Sequence, residues 1–125
     1  MKLDHDYVRN LLLAYESSSN LRGPSENDFI ELSKELNKTR DELVYTLNKL
    51  AEGNFVTSKI TWGNDMPMWI QPGNLTFEGH KYLDNIRDPE VWKKTKKTTS
   101  KFASVSLDII SSVAAKVIVS SLNLG

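Results

Sequence analysis

The chain contains no cysteine in its 125 residues. That excludes a disulfide framework, a thiolate zinc site and a cysteine nucleophile. Glycine and proline are scarce, at six and four residues, and nowhere dense enough to form a flexible linker. No internal repeat is visible. Net charge is absent as well, because sixteen Lys and Arg cancel sixteen Asp and Glu. Such a balance argues against bulk charge drawing the protein onto nucleic acid. The opening residues MKLDHDYVRN carry acids and no apolar run, so no secretory signal is expected and the expected compartment is the cytoplasm. No GxSxG, P-loop or HExxH pattern occurs, so neither an enzyme nor a cofactor is expected. What is present, 39% hydrophobic and 26% charged residues, is the composition of a globular domain with its own core.

The neutrality conceals a split. Residues 1–92 carry ten Lys and Arg against fifteen Asp and Glu, a net of −5, while residues 93–125 carry six against one, a net of +5. Three zones follow: an acidic folded body (1–92), a basic connector (93–102) containing KKTKKTTSK, and an apolar C-terminal helix (103–125).

Within the body, residues 4–18 read as a first helix capped by Asp4, with Tyr7, Val8, Leu11, Leu12 and Tyr15 on one face. SSNLRGPS interrupts it. Ser25 and Asp28 open a second helix carrying Phe29, Leu32 and Leu36, and Asn37-Lys38 form a short turn. Thr39-Arg40-Asp41-Glu42 is a capping box opening a third helix whose buried side holds Leu43, Val44, Leu47, Leu50 and Ala51. Gly53 is placed to end that helix as its C′ residue. The period then changes from helical to alternating. Phe55 to Trp62 reads as a strand, GNDMP as a turn and Met68 to Gln71 as the return strand. Thr76 caps a fourth helix carrying Phe77, Leu83 and Ile86, and Asp88-Pro89-Glu90 starts a fifth that runs into the lysines. The fold class expected is α+β: a mostly helical winged helix-turn-helix with a β-hairpin wing, extra helices and an apolar C-terminal helix.

The stretch Leu75-Thr76-Phe77-Glu78-Gly79-His80-Lys81-Tyr82-Leu83-Asp84-Asn85-Ile86-Arg87-Asp88, followed by Val91-Trp92 and the lysines, resembles the signature of a family of bacterial and prophage proteins of unknown function. That family's pattern is L-T-W-x-G-H-x-F-L-D-x-I-R-D-x-x-x-W, with Phe77 and Tyr82 here standing for Trp and Phe. Met1, Lys2 and Asp4 also match its M-K-x-D start. The resemblance spans nearly the whole chain. It implies a winged-helix-like body, a prophage setting and an apolar final helix, and it carries over no catalytic or binding residue.

The leading expectation is an oligomeric, transcription-regulator-like protein that binds double-stranded DNA, with the third helix as the natural recognition helix. Arg40, Tyr45, Asn48 and Lys49 would face the duplex, with Lys59 from the wing and Lys93, Lys94, Lys96 and Lys97 from the connector. Asp41 and Glu52 on the same helix would repel phosphates. A connector brought alongside the third helix by a neighbouring subunit would help to overcome that. The alternative is a protein-interaction module that uses the winged scaffold without DNA. His80 and Asp84 share helical spacing, but two ligands do not make a metal site, and no metal is expected. Gly79 beside His80 signals close backbone approach to another element. Trp62 and Trp69 read as cross-strand packing on the hairpin rather than as stacking platforms.

The C-terminal helix is long enough to cross a bilayer, but Asp108 and Lys116 lie inside it, each costing about 3 kcal/mol near a bilayer centre. A membrane tether is therefore the weaker reading. Burial in water is the stronger, through Leu107, Ile110, Ala114, Val117 and Leu124 with Val113 and Ile118 beside them, and the expected outcome is a homo-oligomer.

Overall fold

A computed structural model describes residues 1–122. It is a mostly helical α+β protein in which α1 (His5–Ser17), α2 (Glu26–Glu35) and α3 (Arg40–Glu52) precede the hairpin strands β1 (Lys59–Gly63) and β2 (Met66–Gln71). Three further helices follow: α4 (Phe77–Ile86), α5 (Pro89–Thr99) and α6 (Leu107–Leu122). Three helices and a wing in this order make the winged-helix-like arrangement expected from the sequence. The chain divides into two compact units, residues 1–80 and 81–125.

In the first unit the caps are those the sequence specifies. The Asp4 side chain accepts from the Tyr7 amide, and Ser25 and Thr39 each form reciprocal capping boxes with Asp28 and Glu42. Val8, Leu11, Leu12, Phe29, Leu43, Leu47 and Leu50 are fully or almost fully buried. Side chains of this size contribute roughly 1.5–3 kcal/mol each when removed from water. Two buried tyrosines are satisfied rather than orphaned: Tyr7 Oη pairs with Ser33 Oγ and Tyr15 Oη with Ser58 Oγ, both at 2.6 Å. Tyr15 also packs against the Phe29 ring at 5.1 Å.

Both α2 and α3 end in Schellman motifs built on asparagine. Asn37 and Asn54 adopt the left-handed conformation with φ of 58° and 62°. The Lys38 amide donates to Ser33 O and the Phe55 amide to Leu50 O. Gly53, expected as the C′ residue, is instead the C-cap at φ −78°. Asn54 takes the left-handed position because its short polar side chain tolerates it.

The strand expected over Phe55 to Trp62 is shorter at its start. Val56 forms only an isolated bridge to Leu75, and the ladder begins at Lys59. The turn is tighter than GNDMP, a two-residue turn with Asn64 and Asp65 both at positive φ, the type I′ geometry that suits a twisted hairpin. It pairs Gly63 with Met66, Trp62 with Pro67 and Thr61 with Trp69, with an irregularity between Thr61 and Trp62. Pro67 has no amide to donate, and such residues sit at bulges. Trp62 and Trp69 therefore lie on opposite faces, both about half exposed, and the cross-strand pairing expected of them is not formed.

At the start of α4, the Thr76 hydroxyl accepts from the Gly79 amide. A Cβ on Gly79 would sit 2.1 Å from Phe55 O, so the close backbone approach read from the sequence is present. Phe77 is exposed rather than part of a buried helical face.

In the second unit the lysine-rich stretch is not a connector but most of α5 itself. Asp88 caps that helix and Pro89 occupies its first turn. Trp92, Thr95 and Thr99 form its buried side, and the two threonine hydroxyls donate to Val91 O and Thr95 O one turn back. Ser106 caps α6 through the Ile109 amide, so that helix begins at Leu107 rather than at Ala103. It packs along α5, and Asn85 donates to Ser111 Oγ at 2.9 Å. Among the described residues, no helix is long and apolar enough to cross a membrane.

Candidate functional site

The outward surface of α3 and the wing is where a winged helix meets its target. Of the residues assigned there from sequence, Arg40 is fully engaged. Its guanidinium pairs with Glu26 Oε1 at 3.2 Å and donates to Pro67 O and Met68 O at 3.2 and 3.3 Å. The same Glu26 oxygen accepts from the Ile70 amide at 3.1 Å. Arg40 and Glu26 thus stitch the first turns of α2 and α3 to β2, and Arg40 positions the wing rather than waiting for phosphate. Lys49 pairs with Glu52 at 3.1 Å and lies 5.8 Å from the Tyr45 ring centre, while Asn48 donates to the other Glu52 oxygen at 3.2 Å. Exposed pairs of this kind are worth about 1 kcal/mol or less, so a polyanion could displace them. Arg40 shares three acceptors and could not leave so cheaply. Lys59 is exposed at the start of β1.

What fills the space between α3 and the wing is apolar. Met1, Val44, Tyr45, Trp62 and Pro67, with Asp41 and Asn48, line an open pocket of about 290 Å³, large enough for a single side chain rather than a drug-sized ligand. Met66, Met68 and Trp69 on the same hairpin are more than half exposed. Asp41 at the rim and Asp65 at the wing tip have no ion-pair partner among the described residues. Residues 1–80 hold eight Lys and Arg against twelve Asp and Glu, a net of −4. The pocket thus has an apolar lining with one carboxylate, Asp41, and one amide, Asn48.

Beside it, Asp4, Lys38 and Glu42 form an ion-pair cluster, with Lys38 Nζ at 2.7 Å from Asp4 and 3.5 Å from Glu42. Burial pushes the Asp4 carboxyl up, but the Lys38 and Tyr7 hydrogen bonds outweigh it and hold the group below its ordinary value. The hydrogen bond to Asp4 raises Lys38. Both shifts lead away from neutral pH, so this cluster is a structural clamp rather than an acid–base pair.

The remaining assigned cations lie in the second unit. Lys93, Lys94 and Lys97 share the face of α5 opposite Trp92, Thr95 and Thr99, and are exposed. Lys96 lies over the Trp92 ring at 5.8 Å. Lys101 and the exposed Phe102 follow in the turn after the helix. Residues 81–125 hold eight Lys and Arg against four Asp and Glu, a net of +4.

The residues assigned to oligomerisation divide differently from the expectation. Ile110 and Ala114 are buried within the chain and offer no surface to a second subunit, because α6 turns that side onto α5. Leu107, Val113, Val117 and Ile118 are half-buried, and Ile109, Val119 and Leu122 are exposed. Leu124 lies outside the described residues. Asp84 pairs with Arg87 at 2.7 Å, His80 is exposed, and no cluster of three metal-ligating side chains occurs among the described residues.

The apolar pocket was not legible as a site. Its floor needs Trp62 on the α3 side of the hairpin, and that depends on the two-residue turn. Its clearest trace in the sequence was the run Met66-Pro67-Met68-Trp69, too apolar for the exposed tip of a DNA-reading wing.

No solved structure matches the chain. An uncharacterized protein of Haemophilus influenzae is 33% identical over 119 residues, covering 94% of this chain and 96% of the relative. Residues 2–106 match the family of hypothetical proteins DUF2513, and the chain belongs to that family.

Proposed function

We propose that this is a non-enzymatic, prophage-associated winged-helix protein whose wing and α3 contact another protein rather than DNA. The observation that carries this reading is the largely apolar pocket between α3 and the wing. A duplex-reading surface needs cations free to replace counterions. Here Arg40 is committed to the wing backbone, which leaves Lys49, weakly paired with Glu52, and Lys59 as the cations of this surface.

Regulator-like binding to double-stranded DNA is the second reading, favoured by the exposed lysines of α5. Fluorescence anisotropy with a labelled random duplex at about 50 mM salt tests both, since non-specific binding is strongest at low salt. The expected result is no measurable binding. Binding abolished by Asn48→Ala or Lys49→Ala overturns the protein-contact reading. Binding reduced only by Lys93→Ala, Lys94→Ala and Lys97→Ala supports the second reading.

A further inference from the structure

The side of α6 turned away from Ile110 and Ala114 carries Asp108, Ile109, Ser112, Lys116 and Val119, all exposed and recurring at helical spacings of three and four residues. Asp108 and Lys116 are the two charged residues of the helix. They lie about 12 Å apart along its axis, too far to pair with each other. Neither has an ion-pair partner among the described residues. Each stands four residues from Ser112, on opposite sides of it. A second α6 laid antiparallel across Ser112 therefore brings each Asp108 level with the partner's Lys116. It also sets each Ile109 against the partner's Ala115, since these two are each three residues from Ser112. A parallel alignment would instead bring like charges together at both positions, which repels.

We propose that two copies of the chain associate through α6 as an antiparallel pair crossing at Ser112, with Asp108 of each meeting the partner's Lys116. The order of charge along the helix selects a second copy, because the complement of this face is the same face turned end for end. One helix supplies both sides of the contact, so the two-fold axis is set by α6 alone. Ile109 and Val119 supply apolar area, while Ser112 and Ala115 are small enough to let the helices approach closely. The pairing uses neither α3 nor the wing and so goes beyond the protein-contact reading.

Crosslinking tests the alignment. The chain has no cysteine, so a single introduced thiol reports only on its own counterpart in the partner. Under mild oxidation of dilute protein, full-length Ser112→Cys should form a disulfide-linked dimer. Ser120→Cys should link at least about tenfold more slowly. Eight residues beyond the crossing, its two copies stand about 24 Å apart along the axis, well outside the roughly 7 Å that a disulfide spans. Both serines are exposed.

Sedimentation equilibrium tests the charges. Asp108→Lys and Lys116→Asp should each weaken the dimer by roughly tenfold, since each sets like charges face to face twice. The double variant should restore it. Asp108→Lys also removes an acid from the first turn of α6. The double variant shares that loss, so its recovery reads pairing rather than folding, and unchanged circular dichroism shows that each variant folds.

A monomer at every concentration overturns the proposal. So does equal linking through both thiols, the mark of a parallel pair, and so does linking through neither. A dimer indifferent to the single charge variants, or a double variant no tighter than they are, overturns it as well. None of those outcomes bears on the duplex experiment, so failure of this inference is separable from failure of the protein-contact reading.

Discussion

Tyr15 is a core residue with a polar end. Burial pushes its hydroxyl up to about 12 from an ordinary 10.0, with the Ser58 hydrogen bond acting in the opposite direction. The unfolded chain releases that proton near pH 10 and the folded one only near 12. Protonated Tyr15 therefore supports the fold fully below pH 10, and the support is lost as pH rises from 10 towards 12. The expected contribution is on the order of 2–3 kcal/mol. Urea unfolding at pH 8, 10 and 11.5 (about these values) should show a falling midpoint, and Tyr15→Phe should reduce that fall, the rest being carried by Tyr7 and Tyr82, whose hydroxyls burial also pushes up. An equal slope in the variant would show that Tyr15 carries none of it. The sequence placed Tyr15 on the buried face of the first helix, but no local pattern announced Ser58 as its partner across 43 residues.

At the scale of the element, helix starts were legible and helix ends less so. Asp4, Ser25, Thr39 and Asp88 act within three residues of themselves, so sequence alone carries them. The end of α3 depends on which of two adjacent residues takes the left-handed conformation, and Gly53-Asn54 offers two candidates. A Cβ on Gly53 would make only ordinary contact, 3.4 Å from Lys49 O. Gly53→Ala should therefore be neutral or stabilise by up to about 1 kcal/mol through the unfolded state, while Asn54→Ala should destabilise by about 1 kcal/mol. Thermal melts of the two variants decide the assignment, and the reverse order would place the cap back on the glycine. The hairpin follows the same logic. Its alternation was visible, but the face each tryptophan occupies depends on the turn length, and a turn of two residues rather than five reassigns both.

Over the whole molecule, the winged body and the apolar final helix followed from period and capping, because those signals repeat along the chain. Division into units did not. The lysine run read as a connector by composition, yet threonines at Thr95 and Thr99 interleave with it and supply a buried side, which makes it a packed helix. The apolar stripe of α6 read as surplus to a body of ninety residues. Its two innermost members, Ile110 and Ala114, are consumed inside the chain, so the surface left for a partner is smaller and more polar than the stripe suggested. The candidate site was the least legible part, since it joins Met1, α3 and the wing, segments that only the fold brings together.

A chain without cysteine still contains sulfur, in three methionines. Met1, Met66 and Met68 are all at least half exposed, and Met66 and Met68 belong to the wing. The core holds no oxidisable atom of this kind, so dilute peroxide acts as a surface reagent here. It converts thioethers into polar sulfoxides at the apolar tip while leaving the interior unchanged. Intact-mass analysis should show up to three added oxygens with the thermal midpoint nearly unmoved. A large fall in that midpoint would mean that the wing methionines support the fold rather than face outward. The wing is thus a place where oxidation alone can switch an apolar surface to a polar one.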